Sequence, residues 1–378
     1  MSLPTIRPVA SKADRKAFVD FAWDVYRDDP AWVPPLKSEV HGLIDPAKNP
    51  WFGHARAALW LAEREGKPVG RISAQVDQLV LEHMGAGLGQ WGMFEALDGE
   101  AATLLIATAE DWLRAQGMTE AMGPISLSIW DEPGLLIKGF DQPPTVMMGH
   151  HRPEYRGWIE AAGYAKAKDL LTYEVDIRPE MTPLMARMVE SAERNPRIRI
   201  RSVDKAHFDE DARIILTLLN DAWSGNWGFV PLTEAEIAYA GKKMKPIIYE
   251  DLVRIAELDG EPVAFMITLP DINALTADLN GRLFPFGWAK LLWRLRKPRT
   301  ARVRVPLMGV ASKLHGTRLA GQLAFTLIER IRRACVGKYG VTHGEFGWVL
   351  EDNQGMLSIA ELPGAVVNKV YRIYEKQL

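Results

Sequence analysis

The sequence predicts a mixed α/β protein built as two tandem domains of one order. Three observations lead there. The chain has 378 residues, long for a single hydrophobic core. It repeats itself: "WLAEREGKPVGRISA" (Trp60 to Ala74) resembles "RIAELDGEPVAFMIT" (Arg254 to Thr268), both reading Ala-Glu, two residues, Gly, one residue, Pro-Val. And the elements flanking the two copies correspond, as a duplicated architecture requires.

Each copy reads as a strand, a tight turn at Gly66 or Gly260, and a returning strand. Upstream lies a short strand and then a helix. In the first half these are "TIRPV" and Lys12 to Tyr26, with Ser11 as N-cap; in the second, "RIRIRSV" and Phe208 to Trp223. Downstream come a strand, a long amphipathic helix, another strand and a short helix. The long helices span Glu100 to Gln116, with Gly117 as C-cap, and Leu319 to Lys338. The strands after them are Glu120 to Ser126 and Gly344 to Leu350. The segment Arg178 to Arg197 reads as a joining helix. The expected division is residues 1–180, a linker helix at 181–197, and residues 198–378 with an amphipathic insertion at 280–300.

Composition bounds the partners. Nearly half the residues are hydrophobic and the net charge is −2, so no global field draws nucleic acid. The single cysteine, Cys335, allows no intrachain disulfide and no cysteine-based zinc site. His150 and His151 are adjacent and need not face one site, so no metal is expected. The N-terminal residues lack a signal peptide's apolar stretch, and no run of about 18 apolar residues occurs. The cytoplasm, with peripheral attachment to the inner face of the membrane, is the expected location.

The order β-α-α-β-β-β-α-β-α-β in each half resembles the GNAT superfamily of acyl-CoA-dependent acyltransferases. In that family a strand ends in a Gln/Arg-x-x-Gly-x-Gly/Ala loop that opens a helix. Here Lys313-Leu314-His315-Gly316-Thr317-Arg318 stands at that place. Gly316 matches, Lys313 is a basic substitute, and Arg318 departs from the small residue usual there. Such a loop turns its N–H groups toward a pyrophosphate, and the helix adds its positive end. A helix start with an incidental glycine is the competing reading. The resemblance implies acyl-CoA as co-substrate, held by Met308, Gly309, Val310, Lys313, Leu314, His315, Gly316, Thr317, Arg318 and Asn353. The first half has Asp98 and Glu100 in the corresponding segment and no basic residue. Since carboxylates repel phosphate, this half is expected to keep the architecture without the CoA site.

A narrower resemblance covers nearly the whole chain. "GPISLSIWDEPGLLIKGFDQPP", "FGWAKLLWRLRKPRTARVRVPLMGV", "GEFGWVLEDNQGM" and "KVYRIYEKQL" look like the tandem GNAT-like family that includes bacterial ceramide synthases. That implies transfer of a fatty acyl group to the amine of a sphingoid base by direct attack. The alternatives are acylation of a small or protein amine, or a catalytically silent acyl-CoA- or lipid-binding protein.

Acyl transfer to an amine needs a base, oxyanion donors and a route for the thiolate. The resemblance places the thioester between the fourth and fifth strands, with the Val310 N–H as oxyanion donor. Period-two alternation puts His343, Glu345, Gly347 and Val349 on one face, and Phe346, Trp348 and Leu350 toward the core. Glu345 is therefore the first candidate for general base. Pairing with Arg302 or Arg304 is its equal alternative. Glu351 and Asp352 follow at the strand's carboxyl end, where open α/β sheets place ligands; Asp352 reads equally as a helix N-cap. His315 reads as a solvent-exposed turn residue, and Cys335 as a core thiol. The tyrosine that many GNAT enzymes use as general acid is replaced by Ala360. The loop "SIWDEPGLLIKGFDQPPTVMMGHHRPEY" collects Asp131, Glu132, His150, His151 and Tyr155, as a pocket lining or as a packed, proline-pinned loop.

From Arg282 to Arg304 there are eight basic residues and no acidic one. On a helix Phe284, Trp288, Leu291 and Leu295 share one face, and Lys290, Arg294 and Lys297 another. A basic amphipathic helix with aromatics reads as an anchor on anionic lipid through 282–299. A helix packed on its own domain is the alternative.

Overall fold

The computed structural model describes residues 2–378. Local signals place the elements. Ser11 accepts the Asp14 amide while the Asp14 carboxylate accepts the Ser11 amide, a capping box that starts the first helix. Glu65-Gly66 and Asp259-Gly260 have positive φ at both turn positions (53° and 73°; 53° and 81°), as a two-residue hairpin turn requires.

The first half runs β1 (Thr5–Pro8), α1 (Lys12–Val25), α2 (Lys37–Leu43), β2 (Ala55–Arg64), β3 (Lys67–Asp77), α3 (Gln78–His83), β4 (Leu88–Ala96), α4 (Gly99–Ala115), β5 (Glu120–Gly123), β6 (Leu135–Lys138), α5 (Glu154–Ala161) and β7 (Ala165–Asp176). Helix α6 (Pro183–Glu193) follows, at the segment read as a joining helix. The second half runs β8 (Ile198–Ser202), α7 (Phe208–Trp223), α8 (Glu234–Met244), β9 (Val253–Leu258), β10 (Glu261–Pro270), α9 (Ile272–Thr276), α10 (Gly287–Arg296), β11 (Arg302–Val310), α11 (Arg318–Ala334), β12 (His343–Leu350), α12 (Gln354–Glu361) and β13 (Val366–Gln377).

All thirteen strands form one sheet in the order β1-β2-β3-β4-β5-β13-β7-β12-β11-β10-β9-β8, with β6 also on β13. The last strand of each half has crossed over: β7 pairs with β12, and β13 pairs with β5. The two exchanged strands pair with each other in the centre. Two large apolar cores flank this seam, one per half. A third core spans it, joining Met122, Ile125, Leu136 and Met148 to Leu170, Tyr371 and Ile373.

A charge pair fastens the seam. Lys369 on β13 reaches over β7 to Glu345 on β12, Nζ to Oε2 2.6 Å, with the two side chains 0% and 1% exposed. Asn368 Nδ2 donates to the same oxygen at 2.7 Å, and the Thr145 hydroxyl donates to the other. Burial pushes Glu345 up, but Lys369, Thr145 and Arg304 outweigh it and hold the carboxyl below its usual range. Removing one partner leaves an uncompensated buried charge. Lys369→Met and Glu345→Leu are each expected to destabilise the protein by about 3–5 kcal/mol. The double variant should recover most of that loss. Urea unfolding of all three measures it; single variants within about 1 kcal/mol of wild type would remove the clamp from the account.

Candidate functional site

Strands β11 and β12 are parallel and pair only from Arg302 and His343 to Val305 and Phe346. Beyond that point β11 stays with β10 as far as Val310, while β12 continues along β7. A gap opens between them. Two cavities meet it, and both are lined by Val305, Met308, Phe346 and Met356. One is walled by Trp130, Trp223, Trp348 and Leu350. The other runs under Met185, Met266, Ile328 and Cys335. Their linings are overwhelmingly apolar.

The free edge of β11 faces this gap. The Ala311 amide donates to Val263 O at 2.7 Å, which makes Val310 and Ala264 a non-hydrogen-bonded pair. The amides and carbonyls of Met308 and Val310 therefore point away from β10, into the gap. Two side chains sit on that edge. Trp223 Nε1 donates to Met308 O at 3.0 Å, and His315 Nε2 donates to Val310 O at 2.7 Å. His315 is thus exposed but bonded to the strand end, more than a turn residue.

The Lys313–Arg318 loop follows directly. Gly316 has φ 73°, and a Cβ there would meet nothing within 4 Å. The amides of Leu314, His315 and Thr317 are spent on turn bonds to Ala311, Ser312 and Leu314. The Thr317 hydroxyl caps α11 by accepting from Ala320. The amides of Arg318 and Leu319 open the helix and have no acceptor in a preceding turn. Lys313 pairs with Glu261 at 2.6 Å on the surface, a weak and exchangeable contact. Asp221 takes the Ser312 amide and hydroxyl at 2.6 and 2.7 Å; these bonds hold its carboxyl low. The loop thus already binds one anion through Ser312, while the amides of Gly316, Arg318 and Leu319 have no acceptor among the described residues.

The two acidic candidates lie elsewhere than period-two alternation suggests. Glu345 does not open on the gap. Its face is covered by the first half's 128–153 loop, whose Thr145 lies on it, and its charge is committed to Lys369 rather than to Arg302 or Arg304. Phe346, Trp348 and Leu350 keep one face as alternation predicts; that face lines the cavity, with Trp348 under the Arg304 guanidinium at 5.2 Å and Trp348 and Leu350 also packed on the core that spans the seam. Glu351 accepts from Lys166 Nζ at 2.6 Å and from the Asp169 amide, fastening β12 to β7. Asp352 pairs with Lys168, and it is Asn353 that caps α12, accepting from Met356 while lining the cavity.

Ala360 is fully buried. Tyr371 donates to Gly149 O and Tyr374 to Glu160, so both hydroxyls are engaged away from the gap. Burial pushes the Cys335 thiol up to about 12. Arg304, 1% exposed, donates to Val146 O and Gly347 O while its Nε has no partner; burial lowers it to about 10. Trp130 and Trp223 are the site residues that pattern reading passes over, and the surplus of thirteen tryptophans is their one signal in the sequence.

The corresponding gap in the first half is filled by its own chain. The Ile125 amide donates to Trp91 O, and a Cβ on Gly92 would lie 2.0 Å from Ile125 O. Asp98 caps α4 and pairs with Arg64 at 2.6 Å, placing a carboxylate at the position that Thr317 holds at the start of α11.

No family model matches the chain. Over 377 residues, 99% of its length, it is 42% identical to a Caulobacter vibrioides (strain NA1000 / CB15N) protein named bacterial ceramide synthase, of which it covers 97%. It is equally 42% identical to Protein YghO of Escherichia coli (strain K12), over 99% of this chain and 95% of that one. A solved tandem GNAT protein from the clavulanic acid biosynthesis pathway shares the fold at TM-score 0.57 and 13% identity, covering 99% of this chain and 98% of that one. A GCN5-related N-acetyltransferase from Sphaerobacter thermophilus does so at TM-score 0.53 and 13% identity, over 99% and 95%.

Proposed function

The chain belongs to the tandem GNAT family that includes bacterial ceramide synthases, and from that premise we propose that it transfers a long-chain acyl group from acyl-CoA to the amine of a long-chain base. The observation that carries this reading is the pair of apolar cavities meeting at the β11–β12 gap. A small acyl group has no use for two of them; an alkyl chain of fatty-acid length does.

In this reading the thioester lies along the free edge of β11, and the Val310 amide donates to the oxyanion. The Gly316, Arg318 and Leu319 amides hold the pyrophosphate, with the Lys313 and Arg318 side chains adding charge once Lys313 leaves Glu261. Asn353 lines the same cavity. The amine nitrogen attacks the carbonyl carbon, the C–N bond forms as C–S breaks, and the thiolate takes a proton from the nitrogen or from water. Residues 198–378 carry acyl-CoA. Residues 1–180, with their filled gap and Asp98, serve the acceptor, and 181–197 joins them.

A peripheral membrane contact is part of the proposal. No helix among the described residues is long and apolar enough to cross a membrane. Helix α10 and its approach instead expose Phe284 (82%), Phe286 (77%), Leu292 and Trp293 (72%). Of the expected apolar face, Phe284 and Trp288 are exposed. Leu291 and Leu295 are half-buried, and Lys290 and Arg294 pair with Asp278. Arg282, Arg296, Lys297 and Arg299 have no carboxylate partner among the described residues and can meet anionic lipid.

Purified protein given hexadecanoyl-CoA and sphinganine is expected to form the amide, detected by mass spectrometry. Binding of acyl-CoA with no amine acylated would leave an acyl-CoA-binding protein instead. Gly316→Glu, which adds a carboxylate at the cradle, should abolish the thermal shift that acyl-CoA produces. Met356→Trp, at the junction of the cavities, should lower the preference for hexadecanoyl-CoA over butanoyl-CoA about tenfold, or about 1.4 kcal/mol. Leu292→Glu/Trp293→Glu should abolish flotation with anionic liposomes; unchanged flotation would remove the anchor.

A further inference from the structure

A cavity unlike those at the gap lies mainly in the first half, closed on one side by Lys243, Ile272, Asn273 and Thr276 of the second. It shares Trp130 and Met147 with the gap cavity, so the two adjoin. Its charges fall into two classes. Most are satisfied within the protein. Glu95 accepts from Tyr26 and Tyr155 at 2.7 and 2.8 Å beside Arg71, and Lys243 pairs with Glu39 at 2.7 Å. His151 Nδ1 accepts the Leu136 amide, and burial, then His150 and Arg71, lower the ring to about 3, so it is neutral.

Asp131 and Glu132 are different. Both line the cavity, side by side; neither pairs with a cationic side chain among the described residues, and the Ser128 amide is the one donor at Asp131. Burial first, and each other's neighbourhood second for Asp131, push Asp131 up to about 7; burial also raises Glu132. Asp131 is half-buried and Glu132 exposed, and two adjacent carboxylates with no cationic partner attract a cation. A second feature agrees. His150 is 7% exposed and lines the same cavity; its Nε2 donates to Asp29 at 2.8 Å, which leaves Nδ1 a bare acceptor with no partner. The cavity therefore offers acceptors for a ligand rich in donors, such as an ammonium with a neighbouring hydroxyl.

Its other walls are apolar: Trp23, Trp32, Val33, Leu36 and Val40. At this rim the insertion is fastened to the first half. Trp23 Nε1 donates to Asn280 Oδ1 at 2.7 Å, and the Lys37 amide to Gly281 O at 3.0 Å. The exposed aromatics from Phe284 onward begin three residues later, so a lipid amine would meet the cavity from the membrane side.

We propose that this cavity binds the ammonium head of the long-chain acceptor, held by Asp131, Glu132 and His150, and that Asp131 takes the proton the nitrogen must lose before attack. This rests on the acyl-transfer reading above. The ammonium gives one proton to the Asp131 carboxylate. The neutral amine then attacks the thioester carbonyl across the Trp130–Met147 boundary and loses its second proton to the departing thiolate or to water. Asp131 returns its proton to water. The groups facing Asp131 that set its titration are Glu132 and Glu236, which raise it, and Lys243, which lowers it.

The test is calorimetry at pH 7 with sphinganine and with the matched long-chain alcohol lacking the amine, using wild type, Asp131→Asn/Glu132→Gln and Glu132→Gln alone. Wild type should bind the amine at least about tenfold tighter than the alcohol, and the double variant should lose that preference. Its melting temperature should be unchanged or higher, because two like charges are removed, and its acyl-CoA binding should be intact. In turnover, wild-type kcat/KM should fall as pH drops through about 7, and Asp131→Asn should lose that limb. A double variant that keeps the amine preference, or a wild type that never had one, overturns the proposal. Failure of the acyl-transfer reading shows separately, as wild type that does not bind acyl-CoA.

Discussion

Lys369 reaches across β7 to Glu345, and this buried pair sits where the two halves of the chain become one sheet. Each half gives away its last strand, so neither can close its own sheet without the other. Lys166 and Lys168 of β7 add further ties to Glu351 and Asp352 at the end of β12. Because these carboxylates are bound to the exchanged strands, the relative position of the halves is held at residue level. The cavities that depend on both halves are held with it.

The gap follows from the same geometry. Antiparallel β7 draws β12 away, while β10 keeps β11, and only four residue pairs hold the parallel seam between them. What the seam leaves exposed is an unpaired strand edge, normally a liability. Here Trp223 and His315 cover two of its carbonyls and leave the Met308 and Val310 amides for a ligand. Apolar side chains line the space on either side, so a long chain can be buried where the backbone offers donors.

The halves have diverged by what fills this space. In the first, Ile125 fills the space beside β4 and Asp98 caps α4, the positions where the proposed function puts thioester and phosphate in the second. That half has instead kept a large cavity with unpaired carboxylates beside Trp130. Its long loop, 128–153, lies over the second half's sheet, where Arg304 donates to Val146 O and Thr145 to Glu345. One copy of the fold keeps an open strand edge, and the other contributes the wall and the polar chamber next to it.

Much of this was legible in the residues themselves. The hairpins at Gly66 and Gly260, the Ser11 cap, the long helices and the Lys313–Arg318 loop are set by local chemistry: a positive φ, a capping box, an apolar stripe of helical period. Tertiary structure alone decided partners. Alternation along β7 and β13 says which side chains share a face, but pairing within a half or across halves satisfies it equally. Glu345 looks like a free base until Thr145, 200 residues earlier, and Lys369, from an exchanged strand, are brought to it. In the insertion, helical period defines a stripe, but the contacts of Asp278 with Lys290 and Arg294 decide that Leu292 and Trp293 face outward. Asp131 and Glu132 stand out only once every neighbouring charge is seen to have a partner. Periodicity encodes faces; which face meets protein, solvent or ligand depends on contacts distant in sequence, and local propensity does not carry them.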